Sequence, residues 1–105
     1  MSSPERIAPR LRGLPVAEVG GLLVPVAVGL RSRALGLAGL DRDAAGDGLL
    51  IPSCSSVHTF WMRFALDIAF LDGRGEVLEE RLSVPPRRLL SLRAAKAVLE
   101  RPAGG

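Results

Sequence analysis

The chain has 105 residues, of which 48% are hydrophobic and 24% charged, a composition typical of one globular domain and unlike that of a disordered chain. The net charge of +3 comes from arginines interspersed with acids, which favours solubility, and we predict no nucleic-acid partner. The single cysteine, Cys54, excludes an intramolecular disulfide.

The N-terminal residues 1–12 are polar and aperiodic and are predicted to be a loose tail, followed by one domain over residues 13–105. This tail has no apolar segment of the signal-peptide type. The most apolar run, residues 19–30, is far shorter than the roughly 20 residues that span a bilayer. We therefore expect a cytoplasmic protein with no membrane partner.

The next segments favour strands and one helix. Residues 14–19 and 22–28 predict two strands, and Pro25 assigns the second to an edge or a bulge. Residues 30–37 predict a single short helix, because apolar residues recur there at helical spacing. Residues 38–48 predict a surface loop, and a short buried strand follows it.

The middle of the chain concentrates the unusual side chains: the only Cys, His and Trp and all three Phe. If residues 57–64 are extended, side chains alternate between two faces. One face then carries His58, Phe60, Met62 and Phe64 toward the core, and the other carries Val57, Thr59, Trp61 and Arg63.

Residues 67–84 predict a β-hairpin, with Ile68 and Phe70 facing inward and Asp72-Gly73-Arg74-Gly75 as its turn. After a break at Pro85-Pro86, residues 89–92 and 97–101 predict two last strands. These elements favour a mostly β fold: a small antiparallel sandwich or a partly open barrel with the one helix.

Several motifs resemble those of the domain-of-unknown-function 192 family. The main motif is residues 58–72, HTFWMRFALDIAFLD, although the segment between Arg63 and Asp67 is two residues shorter than in the commonest form. Residues 26–36, 47–51 and 98–104 resemble three further family segments, in the same order.

The resemblance implies a mostly β domain without an established activity, and it supplies no catalytic residues. It favours a strand at residues 98–100, where local propensity favours a helix. The family's G-L-M-x-R reads Gly36-Leu37-Ala38-Gly39-Leu40 here, and many members continue beyond the P-A-G segment, whereas this chain stops at Gly105.

Cys54, His58 and Asp67 are the candidates for a metal or thiolate site. In an extended segment, four residues span about 13 Å, too far for Cys54 and His58 to share one ion. A buried cysteine and a hydrogen-bonded histidine are the simpler interpretation, so we predict no metal and no cofactor. The alternative is a metal-assisted or cysteine-dependent enzyme that uses all three residues.

Arg63 and Asp67 flank a bend and could form an ion pair that closes it. A guanidinium beside His58 and an outward-facing Trp61 would also suit an anionic or sugar-like ligand. We therefore predict a non-catalytic binding module for such a small molecule, or for a protein partner, with His58, Trp61, Arg63, Asp67 and Cys54 as candidate ligand-binding residues.

Other classes of function find no support in the sequence. It contains neither a P-loop motif nor a G-x-S-x-G motif. Arg87-Arg88 is the only adjacent basic pair and has no aromatic neighbour along the chain, which argues against single-strand binding by stacking.

Overall fold

The computed structural model describes residues 7–104, apart from the side chain of Leu30. Within this range the chain forms eight strands and three short helices. In chain order they are α1 (Pro9–Arg12), β1 (Val16–Val19), β2 (Leu22–Pro25), α2 (Gly29–Leu35), α3 (Arg42–Ala45), β3 (Leu49–Pro52), β4 (Ser56–His58), β5 (Leu66–Leu71), β6 (Val77–Val84), β7 (Leu89–Ser91) and β8 (Ala97–Pro102).

A four-stranded antiparallel sheet, in the order β3-β8-β5-β6, forms the centre of the fold. Its two inner strands bury side chains on both faces. Ile68 and Phe70 of β5 belong to one apolar cluster, whereas Ala69 and Leu71 of the same strand belong to another.

Different elements cover the two faces. The β1–β2 hairpin packs on the face that carries Ala69 and Leu71. Residues from α1, from α3, from the loop after α2 and from the small β4–β7 sheet pack on the face that carries Ile68 and Phe70. The predicted mostly β, antiparallel fold is confirmed, and no closed barrel forms within residues 7–104.

The β5–β6 hairpin confirms the prediction for residues 67–84, with Ile68 and Phe70 buried. Residues 97–102 form strand β8, as the family resemblance implied and against local helix propensity. Pairing of β8 with β3 on one side and β5 on the other supplies backbone hydrogen bonds that outweigh the propensity difference.

The helix predicted over residues 30–37 is present as α2, but it is not the only one. α1 and α3 have four residues each, too few for a hydrophobic period to reveal them in the sequence. α1 begins with Pro9 and buries Leu11 in the core. The predicted tail thus includes a helix at its end, and its residues 1–6 lie outside the described residues.

Candidate functional site

The extended segment predicted over residues 57–64 ends at His58, the last residue of β4, so the prediction is wrong for the residues that follow. The cause is Thr59, which is fully buried. Its hydroxyl donates to the Pro85 carbonyl at 2.8 Å and accepts from the Arg88 N–H at 2.8 Å. Its backbone N–H donates to the Arg88 carbonyl at 2.8 Å, and its carbonyl accepts from the Arg87 N–H at 3.2 Å. These bonds clamp the chain after β4 to the β6–β7 connection and turn it away from an extended course.

The turn places two aromatic rings at the surface. Phe60, predicted to face the core, is 41% exposed, and Trp61 is 76% exposed, whereas Met62 is buried. The Phe60 and Trp61 ring centroids are 6.1 Å apart, and both rings contact the imidazole of His58, at 5.8 Å and 6.0 Å. We call the surface formed by Phe60, Trp61, Met62, Pro86 and Arg87, which line a cavity of about 510 Å³, the aromatic shelf.

His58 also lines a second cavity, of about 220 Å³, which we call the His58 pocket. Residues from the end of α2 and from strands β3, β4 and β8 form its walls. The imidazole therefore connects this pocket with the aromatic shelf.

A buried carboxyl group, that of Glu100 on β8, lines the His58 pocket. Glu100 is only 1% exposed and lies opposite Ile68 and Leu49 in the sheet. Burial disfavours its charged form and raises the pKa of Glu100 to about 7, although a hydrogen bond from the Leu37 backbone N–H acts in the opposite direction. Within the described part of the chain, its Oε1 atom has no hydrogen-bond partner.

The loop after α2 is shaped to fit against this carboxyl group. A Cβ atom on Gly36 would lie 2.6 Å from Glu100 Oε1, and Gly36 has a φ of +53°, so both space and conformation require glycine here. The Arg10 guanidinium donates to the carbonyls of Gly36 at 3.0 Å and Ala38 at 2.8 Å. α1 thus fixes the loop that supplies the Leu37 N–H.

The hydrogen bond of His58 determines which of its ring nitrogens carries the proton. Nε2 lies 3.1 Å from the Ala34 carbonyl oxygen, which can only accept, so Nε2 carries the proton. In the neutral ring, Nδ1 is then an acceptor. Nδ1 is buried and finds no partner among the described residues.

The other predicted ligand-binding residues are dispersed. Arg63 does not pair with Asp67; it binds Asp41 at 2.9 Å, in an ion pair whose side chains are 60% and 77% exposed. The Asp67 carboxylate accepts from the backbone N–H groups of Ser83 at 2.8 Å and Gly104 at 3.1 Å. Asp67 therefore holds three chain segments together, while His58 and Trp61 alone of the predicted set share a ring contact in the described structure.

The proposed Cys54, His58 and Asp67 cluster does not form. The thiol of Cys54 donates to the Ser56 carbonyl at 3.0 Å, and Asp67 is occupied as described above. Residues 7–104 contain no group of three or more His, Cys, Asp or Glu side chains placed to hold a metal ion.

Sequence reasoning did not identify Glu100 as a site residue. Its signal was present: an acidic residue follows Val98 and Leu99 in a strand, at the position where alternation requires an inward side chain. An inward acid in an apolar strand indicates either a buried hydrogen-bonded group or a functional one.

The fold and this site define a small mostly β domain with a polar pocket beside exposed aromatic rings. The chain belongs to the uncharacterised DUF192 family, described as "Uncharacterized ACR", which it matches over residues 16–105. No curated protein matches the chain.

Two solved structures share the fold. A protein from Sinorhizobium meliloti, described as a candidate transcription regulator, has a TM-score of 0.69 at 23% identity, over 79% of this chain and 70% of that one. A protein of unknown function from Novosphingobium aromaticivorans has a TM-score of 0.61 at 18% identity, over 92% of this chain and 87% of that one. At these identities, the likeness establishes the fold alone. None of the described helices is both long enough and apolar enough to cross a membrane.

Proposed function

We propose that this protein is a non-catalytic binding module that takes a small, neutral, hydroxylated molecule, such as a sugar, into the His58 pocket. The observation that carries the proposal is that His58 and Glu100 line one pocket, and that each has a buried polar atom, Nδ1 and Oε1, without a partner among the described residues. Buried polar atoms are normally hydrogen-bonded, and leaving one unpaired costs about 1–3 kcal/mol.

Hydroxyl groups suit both atoms. A hydroxyl can donate to the lone pair of His58 Nδ1. Toward Glu100 it can donate to the carboxylate or accept from the protonated acid, so it fits either protonation state. Phosphate or carboxylate ligands would instead be repelled by Glu100 whenever that group is ionised. Arg33, which also lines the pocket, already donates to the Ser53 carbonyl at 2.9 Å.

The size of the pocket supports the same class of ligand. Its volume of about 220 Å³ lies below the range of about 300–1,000 Å³ typical of drug-sized ligands. A single sugar ring or a short polyol is of the appropriate size. The enzyme alternative has less support, because its three residues are not brought together in residues 7–104.

Thermal melts in the presence of a ligand panel test the proposal. The panel contains neutral monosaccharides and polyols, with inorganic phosphate and acetate for comparison. A ligand at about 100 times its Kd adds about 2.7 kcal/mol to the free energy of unfolding, which raises the Tm of a domain of this size by about 10 °C or more.

The rise should occur with a neutral sugar or polyol and should disappear in His58→Phe, which keeps a ring against the aromatic shelf but removes both nitrogens. Glu100→Gln should weaken it. Glu76→Gln makes the same chemical change at an exposed position and should leave it intact. Stabilisation by phosphate or acetate alone, or a sugar effect that survives in both pocket variants, would contradict the proposal.

A further inference from the structure

The aromatic shelf has features that the His58 pocket does not explain. It is built on two connections, one between β4 and β5 and one between β6 and β7, which Thr59 clamps together. Each connection contributes one non-glycine residue in the left-handed region: Trp61 with a φ of 63° and Arg87 with a φ of 68°. Both side chains are exposed.

Judged by stability alone, the left-handed conformation of these two exposed residues is unfavourable. A non-glycine residue in the left-handed region costs on the order of 1–3 kcal/mol, and the exposed indole of Trp61 contributes little burial in return. Such strain is typical of sites whose backbone is held for binding. The clamp on both turns therefore fixes an indole and a guanidinium around one cavity, of about 510 Å³.

The chemistry of the shelf is a flat aromatic face beside a cation. An exposed indole stacks on nucleobases in a sequence-tolerant way, and a guanidinium binds phosphate oxygens through two parallel hydrogen bonds. The described lining contains no acidic side chain, and Arg88 follows Arg87 on the same connection. The sequence argued against stacking because Arg87-Arg88 has no aromatic neighbour along the chain; the fold supplies that neighbour, since Arg87 shares the cavity with Phe60 and Trp61.

We propose that the aromatic shelf binds a nucleobase that carries a phosphate, with the base stacked on Trp61 and the phosphate on Arg87. The shared chemistry has two sources, a free nucleotide and an unpaired nucleotide of a single strand. A protein partner is less favoured, because a stable protein interface buries about 800 Å² on each side, more than five residues around one ligand-sized cavity supply. This inference does not depend on the His58 pocket.

Trp61 is the only tryptophan of the chain, so its fluorescence reports directly on the shelf. The wild-type protein is titrated with adenosine and thymidine 5′-monophosphates, with ribose 5-phosphate and inorganic phosphate, and with a single-stranded 12-mer of thymidine. We expect the nucleotides or the 12-mer to quench the fluorescence and to shift the emission at concentrations where ribose 5-phosphate and inorganic phosphate have no effect.

Three variants localise the binding. Trp61→Leu, measured by anisotropy of labelled ligand, should weaken it about 5- to 150-fold, the range of one base–aromatic stack. Arg87→Asn keeps a residue that tolerates the left-handed region and should also weaken binding, whereas Arg74→Asn makes the same charge change in the exposed turn after β5 and should not. Glu100→Gln should leave nucleotide binding unchanged, which separates this inference from the function proposed for the pocket.

A free nucleotide and a single strand as natural ligands predict different ratios of Kd values, and either ratio supports the inference. Similar Kd values for the monophosphate and for the 12-mer indicate a free nucleotide, and a much tighter 12-mer indicates a single strand. Equal quenching by inorganic phosphate, equal loss in Arg74→Asn and Arg87→Asn, or no response to any nucleotide at millimolar concentration would overturn it. So would Trp61-dependent binding of an acidic, leucine-containing peptide when the nucleotides do not bind.

Discussion

Two neighbouring regions of this molecule carry phenylalanine in similar sequence contexts but use it differently. In strand β5, at the centre of the sheet, Phe70 is fully buried between β6 and β8. In the turn after β4, Phe60 is 41% exposed and sits beside a strained, exposed Trp61. The centre of the sheet thus buries its aromatic ring in the core, whereas the turn presents its aromatic rings at the surface.

The carboxyl groups of Asp67 and Glu100 also differ, but here the more deeply buried group is the one with an oxygen that lacks a partner among the described residues. Asp67, half-buried at the start of β5, has both oxygens bonded to backbone N–H groups. Glu100, deeper in the sheet, has one oxygen without a partner in the described structure. An acid whose oxygens are all bonded to the backbone is part of the scaffold, and a pocket-lining acid with a buried oxygen that lacks a partner among the described residues is a candidate for binding.

The largest expected effect is a difference in the free energy of unfolding between the alanine variants of Phe70 and Phe60. Phe70→Ala removes a fully buried ring and should lower the free energy of unfolding by about 3–5 kcal/mol. Phe60→Ala loses only partly exposed ring contacts and should cost about 1 kcal/mol or less. Urea unfolding of both variants measures the difference, and equal losses would show that the turn is as important for stability as the sheet.

The second expected effect is a dependence of stability on pH that comes from Glu100. Its pKa rises from 4.5 to about 7 on folding, so between these pH values the folded state holds a proton that the unfolded state has lost. Stability should therefore fall as the pH rises from about 4.5 to about 7, by about 3 kcal/mol at most, and this contribution should be constant above that range.

Glu100→Gln cannot ionise and should remove that slope, whereas the exposed Glu76→Gln should retain it. Urea unfolding at a series of pH values measures both variants. A wild-type curve without a fall in this range, or one that Glu100→Gln leaves unaltered, would show that the carboxyl group is solvated in the folded state.

The smallest expected effect is the loss of stability in variants of Asp67 and Arg63, two residues for which the sequence suggested an ion pair with each other. Asp67→Ala leaves two backbone N–H groups without their charged acceptor and should cost about 2 kcal/mol. Arg63→Ala breaks an exposed pair with Asp41 and should cost less than about 1 kcal/mol. A double-mutant cycle between Arg63 and Asp67 should give no coupling beyond error, and coupling above about 0.5 kcal/mol would contradict the separation.

Local patterns in the sequence were sufficient to predict the β5–β6 hairpin. The Asp72–Gly75 turn signal and the alternating runs on either side identified the β5–β6 hairpin. The family resemblance correctly overruled helix propensity for β8. The hairpin depends on short-range periodicity and turn chemistry, which a single sequence contains, whereas β8 depends on pairing with β3 and β5.

The candidate site was only partly predictable. Residues His58 and Trp61 were identified by their rarity, and they do lie together. The turn at Thr59 was missed because its hydrogen-bond partners lie 26 and 29 residues away, and alternation alone predicts that such a run stays extended. Alternation in β8 indicated that Glu100 points inward, but its contact with the loop after α2 is visible only in the folded chain.

The Thr59 clamp also bears on the order in which the chain folds. Its bonds join positions separated by the whole β5–β6 hairpin, so closing the clamp costs less loop entropy once the hairpin has formed. The aromatic shelf should therefore be among the last parts to assemble and the first to open. Amide hydrogen exchange at Arg88, whose N–H is held by the Thr59 hydroxyl, should then be faster than exchange in β5.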